Sequence, residues 1–215
     1  DRTMLGIDPV IINPEYLYVI PTITTYYDKL KTNITTSAIS TLIRTGISNY
    51  SSTNLEQFGK RLRYSRFVRA LDNTDESVLN NEASFKMQKR FVPNTNTATL
   101  VNLKFLNPIA KNSIISTSFT LNNFTAFIDD DGLGNLRVFR FNSDKEKVFI
   151  NSNLGTVNYD NGELNINSFT VTAFDGIEIK INADPVNKDI VPVREQIIIV
   201  SSADAVITTV SEVSD

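Results

Sequence analysis

The chain has 215 residues, with 21 basic and 24 acidic side chains and a formal net charge of −3 at pH 7. It contains no Cys, His or Trp, which excludes disulfides, the usual transition-metal ligands, and cysteine or histidine catalysts. The small negative charge provides no overall field for nucleic acid or an anionic membrane, and no apolar run is long enough to span a bilayer. We therefore expect a protein that is not an enzyme, needs no cofactor, and binds neither nucleic acid nor membrane.

The start of the chain and its polar composition indicate the kind of protein. The sequence opens with Asp1-Arg2-Thr3, without an initiator Met or a signal peptide, so we expect a piece of a longer or processed polypeptide. It holds 24 Asn, 22 Thr and 18 Ser, together with 13 Phe and 7 Tyr against only 8 Gly. Because Asn, Thr and Ser favour turns, caps and exposed strand faces, this composition predicts a turn-rich β protein with aromatic packing.

The first predicted element is a long strand from Tyr16 to Tyr27. Apolar or aromatic side chains alternate with their neighbours before Pro21, and Thr and Ile alternate after it. Because proline lacks a backbone donor, we expect this strand to lie at a sheet edge or to be bulged at Pro21.

Two helices are predicted after this strand. The apolar stripe of the first comprises Ile39, Leu42, Ile43, Ile47 and Tyr50. Either Thr35 or Thr36 is a suitable N-cap for it. A second, shorter helix is predicted over residues 54–59, capped by Asn54 and ended by Gly59.

From about Ser84 onward the pattern is that of strands. The clearest alternation covers residues 177–182, where Ile occupies every second position, and a similar run covers residues 163–167. Four dipeptides have the composition of tight turns: Asn122-Asn123, Asp131-Gly132, Asn161-Gly162 and Asp175-Gly176. Their spacing predicts an antiparallel meander or sandwich.

Together these elements predict an α+β fold in two parts. Residues 1–93 form a mixed α/β domain, and residues 94–215 form a mostly antiparallel β domain. Residues 1–100 carry 12 basic and 9 acidic groups, whereas residues 101–215 carry 9 basic and 15 acidic groups, giving net charges of +3 and −6. Opposite charges of this kind favour attraction between the parts, or head-to-tail pairing of copies, and such pairing would depend on salt.

A basic stretch, Lys60–Arg69, contains five cations and no acid. Its cations are interleaved with Tyr64 and Phe67, a pattern that can bind phosphate backbones. We favour a different interpretation, because the whole chain is negative and no nucleic-acid-binding fold signature accompanies the stretch. In that interpretation a short amphipathic element packs Leu62, Phe67 and Val68 inward, while its cations face water or a partner.

An acidic stretch, Asp129–Asn135, contains three consecutive Asp and two Gly. Such a cluster can hold calcium, but its carboxylates are contiguous rather than alternating and the final Glu of an EF-hand loop is missing. A hairpin turn between Phe127-Ile128 and Leu136–Val138 explains the same residues. A glycosidase needs two carboxylates at a set separation, which sequence alone does not locate. We assign no catalytic, cofactor-binding or metal-binding residue.

Four stretches, taken in order along the chain, resemble a known family. They are Leu71–Asn81, Asp130–Arg137, Gly155–Leu164 and Ala183–Ile198. Their order resembles the C-terminal part of the baseplate wedge proteins of contractile-tailed phages, the T4-like relatives of the baseplate J-like proteins. The resemblance runs from about Tyr16 to Val200.

This resemblance implies a virion structural protein of the phage tail baseplate, assembled in the host cytoplasm. Proteins of this kind form homodimers, contact other baseplate wedge subunits and rearrange when the sheath contracts, and they offer no catalytic residues to carry over. Independently, a chain without His or Cys but rich in polar and aromatic side chains suits protein–protein assembly. The alternative is a glycan- or receptor-binding β module of a tail appendage, which would present an exposed Tyr or Phe platform.

Overall fold

The computed structural model describes residues 13–212, which form two helices and thirteen strands. The helices are α1 (Thr36–Asn54) and α2 (Tyr64–Asp72). The strands are β1 (Glu15–Asp28), β2 (Val78–Phe91), β3 (Thr99–Lys104), β4 (Ile115–Ser116), β5 (Phe119–Leu121), β6 (Phe124–Asp130), β7 (Asn135–Phe141), β8 (Lys147–Asn158), β9 (Glu163–Phe169), β10 (Ala173–Phe174), β11 (Ile179–Ala183), β12 (Gln196–Val200) and β13 (Val206–Glu212). This content, mostly β with a minority of helix, confirms the broad α+β assignment.

The strands join in one large mixed sheet. Its order is β12-β1-β2-β11-β4-β6-β7-β8-β9-β3, with β13 also paired to β1 and with β5 paired to β6 and β10. Strands β12 and β13 run parallel to β1. From β6 to β9 each strand pairs antiparallel with the next, which is the arrangement of a meander. The two helices contact each other and pack against β2, β12 and β13, where part of the apolar core lies.

The sheet continues across the predicted domain boundary. Strands β11, β12 and β13 follow residue 93 in sequence, yet they pair with β1 and β2, which precede it. The division into residues 1–93 and 94–215 stays a prediction.

Strand β1 is an interior strand, so the prediction of an edge or a bulge at Pro21 is wrong. Strand β2 pairs along one side of β1, with Pro21 opposite Phe85. On the other side, the parallel ladder with β12 ends at Val19 and the ladder with β13 begins at Thr22. Pro21 therefore lies where β1 changes partner, and its missing N–H interrupts neither parallel ladder. The register of β1 shifts elsewhere, directly after Tyr26.

Helix α1 begins as predicted. The Thr35 side chain accepts a hydrogen bond from the Ala38 N–H at 3.2 Å, which satisfies one of the free donors of the first turn. Ile39, Ile43 and Ile47 are buried on the side that packs against the sheet. The 3.6-residue spacing of apolar side chains thus predicted both the helix and its buried face.

The prediction of a second helix over residues 54–59 is wrong. Helix α1 continues to Asn54, whose side-chain amide donates to the Tyr50 carbonyl instead of capping a new helix. Leu55 is the C-cap residue, and the following turn includes Gly59 with a φ of 73°. The second helix is α2, which begins within the basic stretch at Tyr64.

The loop between β12 and β13 is held by one side chain of α1. The Arg44 guanidinium donates to the carbonyls of Ser202, of Ala203 at 3.3 Å and of Ala205 at 3.1 Å. This loop is the segment across which β1 exchanges β12 for β13. Arg44 therefore stabilises the place where the two parallel ladders meet.

We expect Arg44→Ala to lower the free energy of unfolding by about 1.5–3 kcal/mol, because hydrogen bonds from a charged group to three carbonyls are lost. Urea denaturation followed by circular dichroism measures the change. The matched control is Arg69→Ala, which removes an exposed helical arginine and should change stability by no more than about 0.5 kcal/mol. Equal effects of the two substitutions would contradict the role assigned to Arg44.

The predicted turns are present, but the strand after one of them begins later than predicted. Positive φ angles occur at the predicted positions Asn122 (51°), Asn123 (64°), Gly132 (73°), Gly162 (67°) and Gly176 (75°). The predicted hairpin of β6 and β7 also forms, with Ile128 opposite Val138. Ile177 was expected to be part of the following strand, but its side chain is 83% exposed and β11 begins only at Ile179. The turn of Gly176 therefore extends further than the alternation suggested.

Candidate functional site: an exposed aromatic surface

Four phenylalanines lie together on one face of strands β6, β7 and β8. We call this surface the aromatic face, and it comprises Phe127, Phe139, Phe141 and Phe149. Phe139 lies opposite Phe127 on one side and opposite Phe149 on the other, so the sheet register brings the rings together. The centroid of the Phe139 ring lies 5.4 Å from that of Phe141 and 6.5 Å from that of Phe149. Phe139 and Phe141 occupy alternate positions of β7, and side chains at alternate positions of a strand point to the same face of a sheet.

The aromatic face is separate from the main core. Phe139 is only 1% exposed, yet it does not belong to the core cluster beneath the sheet, where Ile128 and Val138 point. The rings of Phe127, Phe141 and Phe149 contact it. Phe141 and Phe149 themselves remain 48% and 44% exposed. One ring is thus buried under neighbours that are themselves half in water.

Two cations lie on these rings and share one carboxylate. The Lys147 ammonium lies 4.2 Å from the Phe139 ring centroid, and the Arg137 guanidinium lies 4.4 Å from that of Phe149. The buried Asp129 carboxylate accepts from Arg137 at 3.0 Å and from Lys147 at 2.8 Å. This pairing fixes both cations over the aromatic face, where cation–π attraction adds to the ion pairs.

The turn that joins β7 to β8 gives the aromatic face a charged border. Asp144, Lys145 and Glu146 are exposed there, close in sequence to Phe141 and Lys147. An apolar centre with aromatic rings and a charged border is the composition found at protein–protein interfaces. The chemistry of this site is therefore that of binding another protein surface.

The other carboxylates of the acidic stretch are used within the protein. Asp130 is buried and accepts from the N–H groups of Asn112 at 2.7 Å and Ile114 at 2.9 Å, and from the Tyr159 hydroxyl at 2.7 Å. Burial, together with this bond to Asp130, raises the pKa of the Tyr159 phenol above its ordinary value, so the phenol stays a donor at neutral pH.

Asp131 closes the turn between β6 and β7. Its carboxylate accepts from the side chain and backbone of Asn135 and from the backbone of Leu133. These bonds, those from Asn135 first, lower the pKa of Asp131 to about 2. Within residues 13–212 no group of three or more acidic side chains is arranged to hold a metal ion. The stretch considered as a calcium loop thus acts as a hairpin turn.

We expect Asp130→Asn to lower the free energy of unfolding by about 2–3 kcal/mol. The substitution removes a charged acceptor and turns an amide donor toward groups that are themselves donors. Chemical denaturation measures the loss. Asp144→Asn is the control, because Asp144 is exposed in the β7–β8 turn and should change stability by less than about 0.5 kcal/mol. If Asp130→Asn were as stable as the control, the hydrogen-bonding role of Asp130 would be refuted.

The basic stretch forms the start of α2 and the segment before it. Leu62 and Phe67 are fully buried and Val68 is partly buried, as the amphipathic interpretation predicted. Its five cations, Lys60, Arg61, Arg63, Arg66 and Arg69, are exposed. The structure therefore presents two distinct surfaces: this basic one, which the sequence indicated, and the aromatic face, which it did not.

The comparison with protein families agrees with the resemblance found in the sequence. Residues 15–90 match the family described as baseplate structural protein gp6, C-terminal domain III. The match confirms the resemblance to the C-terminal part of a T4-like baseplate wedge protein. It covers about a third of the chain, from β1 through β2, and of the four stretches quoted above it contains only Leu71–Asn81.

The matched family is one of baseplate structural proteins, which supports a structural role in a phage baseplate, a place in the virion tail and contact with other baseplate proteins. No curated protein matches the chain. Within residues 13–212, neither helix has the length and apolar character needed to cross a membrane.

Proposed function

We propose that the chain is a structural subunit of the baseplate wedge in a contractile phage tail. It forms a homodimer through the aromatic face, contacts other wedge subunits through further surfaces, and rearranges when the sheath contracts. Assembly takes place in the host cytoplasm and the mature location is the tail baseplate. The observation that carries the proposal is the exposed aromatic face on a domain whose first third matches a baseplate structural family.

A second copy of the chain suits the aromatic face because the surface is self-complementary. Its centre is apolar, and its border carries both signs of charge, with Asp144 and Glu146 beside Lys145 and Lys147. In a twofold dimer each patch meets itself, so apolar rings meet apolar rings and each cation can face an acid of the partner. A border of a single sign would instead repel its own copy.

The absence of cysteine allows a direct test of this arrangement. We would introduce Ser143→Cys in the β7–β8 turn and treat the protein with a short bis-maleimide linker. Because the β7–β8 turn borders the aromatic face, both turns lie at the proposed interface, and we expect a covalent dimer. Ser37→Cys, exposed at the start of α1, is the control and should stay monomeric on a denaturing gel. A lack of product from Ser143→Cys, or equal product from both, would count against the proposal.

A second candidate function, glycan or receptor binding in a tail appendage, is favoured by one observation. The exposed Tyr16 ring lies 6.4 Å from the Tyr18 ring beside a hollow of about 320 Å³. The hollow is also lined by Asn102, Lys89 and Glu178, which supply polar groups of the kind that bind sugar hydroxyls.

This second function is tested by titrating an oligosaccharide panel while following tyrosine fluorescence, which no Trp obscures. Saturable binding that Tyr16→Ala abolishes and Tyr26→Ala leaves intact would favour the appendage module. A panel that produces no saturable change would remove that function.

A further inference from the structure

The basic surface, comprising Lys60, Arg61, Arg63, Arg66 and Arg69, is a concentration of positive charge. All five side chains are exposed, and none takes part in an ion pair within residues 13–212. Some cations elsewhere in the chain do form ion pairs, among them Arg90, Arg137 and Lys180. Five like charges within ten residues repel one another unless something external neutralises them.

The basic surface has a concave part. A hollow of about 360 Å³ lies between the last turn of α1 and the segment leading into α2, and four of the five cations line it with Tyr50 and Asn54. The carbonyl end of α1 also lies here, but its partial charge equals only about half an elementary charge. The helix end therefore accounts for a small fraction of the positive charge gathered at this hollow.

The frame that carries these cations is fixed. Leu62 is fully buried and exchanges two backbone hydrogen bonds with Ile190, at 2.9 and 3.0 Å. The Tyr64 N–H donates to the Asp189 carboxylate at 2.9 Å, and the buried Phe67 anchors α2 on the core. A binding surface whose backbone is already ordered loses less entropy when a partner docks.

We propose that the basic surface binds an acidic segment, rich in Asp and Glu, of a neighbouring protein. Arginine supplies four of the five cations, and its planar fork of donors matches carboxylates in a bidentate manner. The hollow has room for only a few side chains, which suits a short run of carboxylates better than an extended polyphosphate backbone. The inference deepens the proposed function by giving the chemistry of a second partner on a surface other than the aromatic face.

The test uses the full chain and a fluorescein-labelled peptide of eight glutamates, with fluorescence anisotropy measured at low and moderate salt. We expect saturable binding that weakens as salt rises. Arg63→Glu with Arg66→Glu should weaken binding at least about tenfold, which corresponds to the loss of two charge-assisted contacts. The control, Lys104→Glu with Arg194→Glu, makes the same change in net charge at exposed cations elsewhere and should weaken binding less than about twofold.

We expect both double variants to keep the fold, so that their peptide affinities can be compared. Arg63 and Arg66 lie at the N-terminal end of α2, where an acidic side chain is favoured by the helix dipole. Thermal unfolding of both variants should match that of the parent. Equal weakening by both pairs would overturn the inference, and so would tighter binding of an eight-nucleotide single-stranded DNA that the Arg63→Glu, Arg66→Glu pair abolishes.

Failure of this inference is distinguishable from failure of the proposed dimer. Light scattering on the same variants reports self-association independently of peptide binding. If the Arg63→Glu, Arg66→Glu pair alone dissociated a dimer, the basic surface would belong to the interface between copies and the inference would be wrong. If every variant were a monomer yet the peptide bound as expected, the inference would stand while the homodimer proposal failed.

Discussion

Phe141→Asp combined with Phe149→Asp is expected to convert the proposed dimer into monomers, with the dissociation constant rising at least about 100-fold. Each protomer loses two half-exposed rings from the centre of the proposed interface and gains two like charges there. Aromatic side chains at the centre of interfaces typically contribute about 2 kcal/mol or more each, and every 1.4 kcal/mol is a tenfold change. Sedimentation velocity over a range of concentrations measures the shift.

The control for this variant is Leu100→Asp combined with Ile177→Asp. Both side chains are large, apolar and exposed, and both lie outside the aromatic face, so the change in hydrophobicity and charge is comparable. We expect the control to associate like the parent. A dimer that survives Phe141→Asp with Phe149→Asp, or that is lost equally in the control, would show that the aromatic face is not the interface.

Phe67→Ala is expected to lower the free energy of unfolding by about 3–5 kcal/mol, a large part of the 5–15 kcal/mol typical of a whole protein. Phe67 is fully buried where α2 meets α1 and β2. Its ring makes edge-to-face contacts with Tyr50 and Phe85, each at 5.3 Å between centroids. Truncation leaves a cavity where these three elements meet, and chemical denaturation measures the cost.

Phe58→Ala is the matched control, because Phe58 lies in the loop before α2 and is 54% exposed. It should change stability by less than about 1 kcal/mol. The two variants also test whether peptide binding depends on the packing of α2. Because Phe67 anchors the helix that carries Arg66 and Arg69, Phe67→Ala should weaken the acidic-peptide binding as well, while Phe58→Ala should leave it unchanged. Similar stabilities of the two variants would contradict the anchoring role of Phe67.

Local signals predicted the local elements well. The alternation from Tyr16 to Tyr27 corresponds closely to β1, and the isoleucine stripe with Thr35 as N-cap corresponds to α1. Turn dipeptides such as Asn122-Asn123 adopt the positive φ that their short polar side chains tolerate. In each case the residues that determine the structure are neighbours in sequence, so the pattern is visible there.

One error lies where a distant segment decides the structure, and another lies where a local signal was misread. Pro21 suggested an edge because nothing local reveals that β12 and β13, almost 180 residues later, share β1 between them. Asn54 and Gly59 resembled the ends of a helix, but Asn54 is instead the last residue of α1. Long-range pairing of strands has no signature in a single sequence, so the place of Pro21 in the sheet required the structure.

The two candidate surfaces differ in the same way. The basic surface was predictable, because its five cations and its buried Leu62 and Phe67 fall within ten consecutive residues. The aromatic face was not singled out, although Phe139 and Phe141 stand two positions apart in the sequence. Phe127 and Phe149 join them only through the register of β6, β7 and β8. Alternating aromatics in a strand that also carries charged residues are the signal that would have drawn attention to it.

Light scattering coupled to size exclusion, over a range of protein and salt concentrations, decides whether the chain is a self-assembling structural subunit. We expect a mass near twice 24.1 kDa that persists at high salt, because aromatic contacts are screened far less than ion pairs. A dimer that dissociates as salt rises would instead assign self-association to the opposite charges of residues 1–100 and 101–215. A mass of 24.1 kDa at every concentration would contradict the homodimer.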